Sequence, residues 1–314
     1  MPTPRCDPGT LAMIRAAAAR IAPYIRRTPM LRLPAGVLAS VPLTLKLECL
    51  QLSGSFKARG AFNSILALPV PAAGVIAASG GNHGAAVAAA AQALGVAAEI
   101  FVPEISGEAK RARIRAFGAR LVIGGANYDE ARLASEARAA ETGARIIHAY
   151  DQPEVLAGQG TVALECTEDA PACTHWLVAV GGGGLIGGMA QHWGADAAQH
   201  LVAVEPQGCP SLHDALAAGR PVPAPVGGLA ADSLGARQVG ALGFAAIAAH
   251  GVTSVLVNDA AIAEARGAIW EACRLLVEPG GAAALAALRS GAWVPPQGAR
   301  VGVLLCGANT ELAA

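Results

Sequence analysis

From Gly74 to the end of the chain, short runs of β-prone residues alternate with segments of helical spacing, and glycine or polar turns separate them. The strand-like runs are Gly74–Ala78, Ala98–Val102, Arg120–Ile123, Arg145–His148, Trp176–Val180, Leu201–Val204, Ser254–Val257 and Val301–Leu305. Helical spacing marks Glu108–Phe117, Tyr128–Thr142 and Ala260–Leu276. Parallel strands require a crossover, and crossover helices cover both faces of the sheet, so this alternation predicts βαβ units around buried, mostly parallel sheets. The fold class expected is α/β, built as two three-layer αβα domains. In such sheets the ligand lies beyond the carboxyl ends of the strands, which directs attention to the loops that follow them.

A chain of 314 residues is long for one core, which also favours two units. Hydrophobic residues make up 54% and charged residues 15%, ample for burial and unlike a disordered chain. Lys+Arg and Asp+Glu are equal at 23 each, with no basic run, so neither nucleic acid nor an anionic membrane is an expected partner. The expected partner is a small molecule. Met1 to Arg20 carries Arg5, Asp7, Arg15 and Arg20 and does not read as a signal peptide. The apolar stretch Ala85–Val102 is broken by Gln92, Gly95 and Glu99 and reads as core, not a membrane span. Seven cysteines without a CxxC pair fit reduced thiols in the cytoplasm.

Three loops carry candidate chemistry. In Ser53-Gly54-Ser55-Phe56-Lys57 a lysine stands at the start of an expected helix, where the dipole disfavours a cation and helps depress its pKa. A Schiff-base lysine needs that depression; a solvated helix-end lysine is the plainer alternative. In Ser79-Gly80-Gly81-Asn82-His83-Gly84 the free N–H groups at a helix start suit a carboxylate, although Asn82 reads equally as a helix cap. In Val180-Gly181-Gly182-Gly183-Gly184-Leu185 glycines between strand and helix form a phosphate cradle. Gly182, Gly184 and Gly187 also satisfy GxGxxG with Glu205 downstream, so a nicotinamide-dependent oxidoreductase is the competing class.

Together these loops resemble those of the fold type II pyridoxal-phosphate enzymes, the tryptophan synthase β-like fold, and within it the serine/threonine dehydratase and serine racemase group. The resemblance runs from about Thr28 to Leu312 and includes Gly54–Ala61, Ala157-Gly158-Gln159-Gly160-Thr161, Glu278-Pro279 and Cys306-Gly307-Ala308-Asn309. It implies a large cofactor domain over residues 1–73 and 150–314 and a small domain over 74–149 closing on the substrate. It implies pyridoxal phosphate on Lys57, Phe56 beside its ring, Gly181 to Leu185 around its phosphate and Asn82 at its 3-hydroxyl. Ser79, Gly80, Asn82 and His83 are implied for the substrate carboxylate, with Cys306 beside the pyridine nitrogen. The oxidoreductase reading explains only one of the three loops. The implied reaction is dehydration of a 3-hydroxy amino acid, L-threonine or L-serine, to a 2-oxo acid and ammonia. A homodimer is also implied.

The chain departs from the group in four places. Racemases carry a second serine where this chain has Gly80; a glycine cannot carry a proton, so elimination is expected over racemisation. The group's divalent- or monovalent-cation site is matched by Glu205, but Ser211 stands where aspartate is usual, leaving His213 or Asp214 as substitutes. The loop Gly228–Ala236 replaces the usual Ala-Asp-Gly-Val run, and its Ser233 and Leu234 are expected to shape the pocket around the β-substituent, which leaves phenylserine and hydroxyaspartate open as substrates. The chain ends soon after Asn309, so no regulatory domain and no feedback control are expected.

Overall fold

The computed structural model describes residues 8–310 except Ala195 and Ala197; Met1–Asp7, part of the N-terminal stretch read above, and Leu312, where the resemblance ends, lie outside the described residues. The strands are β1 (Met30–Leu33), β2 (Leu43–Lys46), β3 (Val75–Ala78), β4 (Ala98–Val102), β5 (Arg120–Ile123), β6 (Arg145–Ile146), β7 (His175–Ala179), β8 (His200–Pro206), β9 (Val252–Val257) and β10 (Val301–Leu304). The helices are α1 (Pro8–Ile21), α2 (Lys57–Ala67), α3 (Asn82–Leu94), α4 (Glu108–Ala116), α5 (Tyr128–Thr142), α6 (Pro153–Asp169), α7 (Gly184–Trp193), α8 (Ser211–Ala218), α9 (Ala231–Leu234), α10 (Ala241–His250), α11 (Asp259–Cys273) and α12 (Pro279–Arg289).

Two sheets result. One has six strands in the order β1-β2-β10-β7-β8-β9, the other four in the order β5-β4-β3-β6. Among these strands only the edge pair β1–β2 is antiparallel; the rest are parallel. The expected α/β class with parallel-rich sheets is what forms. Strands β3, β7 and β10 are buried along most or all of their length, which explains their continuous apolar runs. Alanine fills the helices that press on them: Ala282 to Ala284, Ala286 and Ala287 of α12 are fully buried, and so are Ala86, Ala88 and Ala90 of α3. A methyl group costs no side-chain entropy and lets helix and sheet approach closely.

Local chemistry sets the boundaries. The Asn258 side chain accepts from Ala261 N and starts α11. That helix stops at Cys273, short of the expected Leu276, because Arg274 is left-handed at φ 54°. The run Arg145–His148 pairs as a strand only through Ile146, although Ile147 N still donates to Ile76 O at 2.9 Å. His148 then turns out of the sheet, where its Nδ1 accepts from Tyr150 N at 3.3 Å and Asp151 N at 3.0 Å. Asn82 is the first residue of α3, with Gly81 at the cap position.

The register brings the carboxyl ends of β2 and β10 side by side, with Lys46 opposite Leu304. Beyond them Ser55 and Gly307 form a bridge, so the lysine turn and the Cys306 turn meet.

Candidate active site

Lys57 is aimed by a tightly built turn. Ser53 (φ 63°) and Gly54 (φ 80°) reverse the chain, and Phe56 N then donates to Cys306 O at 3.2 Å. Below it a buried charge cluster fixes α2. Arg59 donates to both oxygens of Glu48 (2.8 and 2.7 Å) and both oxygens of Glu165 (2.7 and 2.8 Å), while Lys46 donates to Glu165 at 2.5 Å. Two cations and two carboxylates balance, which makes their burial tolerable. Burial pushes Glu48 upward, but the Arg59 guanidinium beside it wins and holds its pKa below the usual range.

The Lys57 side chain keeps a strip of surface along a cleft, while its ammonium lies deep among protein atoms and donates to Ala149 O at 2.7 Å. It stands 5.2 Å from the centre of the Phe56 ring. Desolvation lowers its pKa to about 8, against smaller upward pulls from Cys306 and Glu278. About a tenth of the amine is therefore free at pH 7 and about half at pH 8, far more than for an ordinary lysine, as a nucleophile or base requires.

The cleft is lined by Phe56, Lys57, Asn82, Gly181 to Leu185, Ser233 and Cys306 among others. Gly181 to Gly183 lead from β7 into α7, and the first N–H groups of that helix have no carbonyl partner within it. A phosphate dianion fits such a cradle. The glycines are dictated by the Tyr150 ring: a Cβ on Gly182 would overlap it, and one on Gly184 would come within 2.8 Å of the Tyr150 Cβ.

Helix α6 holds lysine and cradle at a fixed spacing. A Cβ on Gly158 would lie 2.7 Å from Arg59 O, and one on Gly160 would lie 2.9 Å from Gly188 O. The Ala-Gly-Gln-Gly-Thr motif thus lets α6 pass in backbone contact with α2 on one side and α7 on the other.

Two further cleft residues escaped the sequence reading. Tyr150 follows a strand too short to mark its loop. Glu278 lies in the Glu278-Pro279 pair that carries part of the resemblance, but nothing in its neighbours announced a role. Its carboxyl accepts from Asn82 Nδ2 at 2.6 Å, and burial pushes it up to about 7. Asn309 Nδ2 donates to Asn82 Oδ1. The Asn82 amide is thus oriented from both ends, leaving one N–H and one lone pair. Cys306 donates to Gly280 O at 3.4 Å, and burial keeps the thiol protonated by raising its pKa.

Other expected site residues stand outside the cleft walls. Ser79 accepts from Gly81 N at 3.2 Å and closes the loop after β3. Gly80 packs against Ser106. The His83 ring is buried, bonded through Nε2 to Ile147 O at 2.8 Å, and desolvation lowers its pKa to about 3; it is a neutral strut, not a cation for a carboxylate. Glu205 accepts Leu212 N at 2.7 Å, His213 N at 2.8 Å and the Ser211 hydroxyl at 3.3 Å, so it caps α8. His213 turns to Ser254 instead (3.0 Å). Among the described residues no group of three His, Cys, Asp or Glu converges as a metal site, and both Glu205 oxygens are taken up by the start of α8.

A model of the family described as pyridoxal-phosphate dependent enzyme matches residues 21–307. The chain belongs to the pyridoxal-phosphate dependent enzymes. This removes the nicotinamide oxidoreductase. The chain is 38% identical to an L-threonine ammonia-lyase of Geobacter sulfurreducens over 283 residues, 88% of this chain and 70% of that protein. It is 34% identical to a serine racemase of Oryza sativa over 309 residues, 95% and 90% of the two chains. Its fold superposes on maize serine racemase with a TM-score of 0.90 at 33% identity, covering 96% of this chain and 94% of that one. For a threonine deaminase from T.th. the TM-score is 0.89 at 37% identity, with 97% and 99% covered. The fold is that of the fold type II enzymes. A glycine cradle, a lysine of lowered pKa and a neutral thiol in one cleft fit pyridoxal phosphate. No described helix is long and apolar enough to cross a membrane.

Proposed function

We propose that this enzyme is a lyase that dehydrates a small 3-hydroxy amino acid, L-threonine or L-serine, to a 2-oxo acid and ammonia. The observation that carries the reading is the Lys57 amine, desolvated to a pKa of about 8 in a cleft shared with the glycine cradle and a protonated Cys306. Its similarity to a threonine ammonia-lyase and a threonine dehydratase points the same way.

Lys57 would hold the cofactor, the N–H groups of Gly181 to Leu185 its phosphate, and Asn82 and Cys306 the polar edge of its ring. Pyridoxal phosphate supplies an electron sink that makes the substrate Cα proton acidic. With the cofactor bound, the Lys57 amine would be the base placed to take that proton. A neutral thiol at Cys306 would offer the cofactor's ring nitrogen no charge partner and so temper the electron sink it supplies. Asn82, clamped by Glu278 and Asn309, would present a fixed amide to the cofactor ring. Ser79 and the N–H groups at the start of α3 receive the substrate carboxylate. Ser233, whose Oγ accepts from Gly280 N at 3.2 Å, stands in the wall beside the β-substituent.

The proposed boundaries remain 1–73 with 150–314 for the cofactor domain and 74–149 for the closing domain. The six described cysteines are all free, which fits a reducing cytoplasm. We propose a homodimer, checked by light scattering. Keto-acid release over a panel of L-threonine, L-serine, phenylserine and hydroxyaspartate tests the assignment. Release from none of them would overturn the dehydratase reading, and preference for a bulky substrate would overturn its substrate.

A further inference from the structure

The turn after β4 brings Ser106 against Gly80. A Cβ built on Gly80 would overlap the Ser106 hydroxyl and stand 3.0 Å from the Ser106 Cβ. Gly80 is not left-handed, so the glycine is there for space and not for backbone freedom. Ser106 N donates to Pro103 O at 3.0 Å, which closes the turn and fixes where the side chain starts. The half-buried hydroxyl has no hydrogen-bond partner among the described residues. The glycine that removed one hydroxyl from the loop has made room for another.

Its surroundings suit a proton carrier. Ser106 immediately precedes Gly107, the cap residue of α4, and so sits at the positive end of that helix's dipole. Gly80 lies two residues before Asn82, which lines the cleft from the side of the four-stranded sheet, whereas Lys57 enters at the start of α2.

We propose that Ser106 supplies the hydroxyl that Gly80 lacks and acts on the face of the substrate opposite Lys57, giving the enzyme a racemase activity beside elimination. The proposal rests on the dehydratase reading, since both reactions begin with loss of the same proton. Lys57 Nζ takes the Cα proton, and the C–H electron pair stays with the substrate. The Ser106 O–H bond then breaks as its proton forms a new C–H bond with that pair from the other face. The Ser106 oxygen regains a proton from water and the Lys57 ammonium returns one to water. One enantiomer becomes the other with no net change in protons or electrons.

The test incubates the holoenzyme with L-serine in D₂O and reads D-serine, Cα deuterium and pyruvate. The wild type is expected to form deuterated D-serine. Ser106→Ala should lower the ratio of D-serine to pyruvate by about a hundredfold, the scale of one acid–base group. Gly80→Ser with Ser106→Ala moves the hydroxyl to the other segment and should restore the ratio to within roughly tenfold of wild type. Melting temperature gives a second readout independent of catalysis: Gly80→Ser alone should lower it, and the double variant should recover it. Pyruvate without D-serine in the wild type, or a ratio unmoved by Ser106→Ala, overturns the proposal alone. A double variant that melts normally without regaining D-serine also overturns it. Absence of Cα deuterium and of keto acid with L-serine and L-threonine alike overturns the dehydratase reading instead.

Discussion

Asn82 donates its amide to Glu278 at 2.6 Å, tying the start of α3 on the four-stranded sheet to the start of α12 on the six-stranded one. The bond is formed with a carboxyl whose pKa burial has raised to about 7. Between the unfolded value near 4.5 and 7, the folded chain holds a proton that the unfolded chain has lost. Stability from this group is therefore full below about pH 4.5 and lost as pH rises through 7.

Glu278→Gln mimics the protonated carboxyl. It should raise the melting temperature by roughly 2–4 °C at pH 8 and change it little near pH 5. Scanning calorimetry at the two pH values checks this. An equal shift at both would mean that charge at Glu278 is irrelevant.

Cofactor uptake should follow the Lys57 amine. With a pKa of about 8, the uptake rate of cofactor-free protein should rise about tenfold per pH unit below 8 and level off above it. Rapid-mixing absorbance measures this rate. A rate still climbing at pH 10 would describe an ordinary solvated lysine.

Much of this was legible in the chain. From β3 onward the strands at the centres of the two sheets, β3, β4, β7, β8 and β10, are apolar runs buried along most of their length, which made them visible. The first two strands were not. Met30–Leu33 and Leu43–Lys46 are four residues each, and β2 ends on Lys46, a charged residue that looks like surface but is fully buried against Glu165. A partner 119 positions away gives no local signal. In the site, Lys57, the glycine cradle, Asn82 and Cys306 were readable because their neighbours in the chain are unusual. Tyr150, Glu278 and Ser106 were not, because their roles come from what the fold lays beside them. The same holds for His83, whose neighbours suggested a ligand while burial made it a neutral strut.

Close backbone packing between α2 and α6 predicts a contrast between two glycines. Gly158→Ala forces a methyl onto Arg59 O and should cost about 1–3 kcal/mol or more. Gly267→Ala, exposed in α11 with open space around it, should stabilise by about 0.5–1 kcal/mol. Urea titrations of both variants measure the pair. A tolerated Gly158→Ala would remove the spacing role given to α6.

Burial of Cys306 predicts inertness, because the thiolate is the reactive form. Iodoacetamide at pH 8 should alkylate the half-buried Cys273 and leave Cys306 unmodified, read by peptide mass mapping. Modification of Cys306 ahead of Cys273 would contradict a protonated, enclosed thiol.

The central claim is that Lys57 carries pyridoxal phosphate and does the proton work of an elimination. Its most direct test is the visible absorbance of protein loaded with the cofactor, with and without Lys57→Ala, beside keto-acid release from L-threonine and L-serine. The account predicts a lysine-linked pyridoxal band in the wild type that disappears with the lysine, together with all keto-acid release. A band and turnover that survive Lys57→Ala would contradict it.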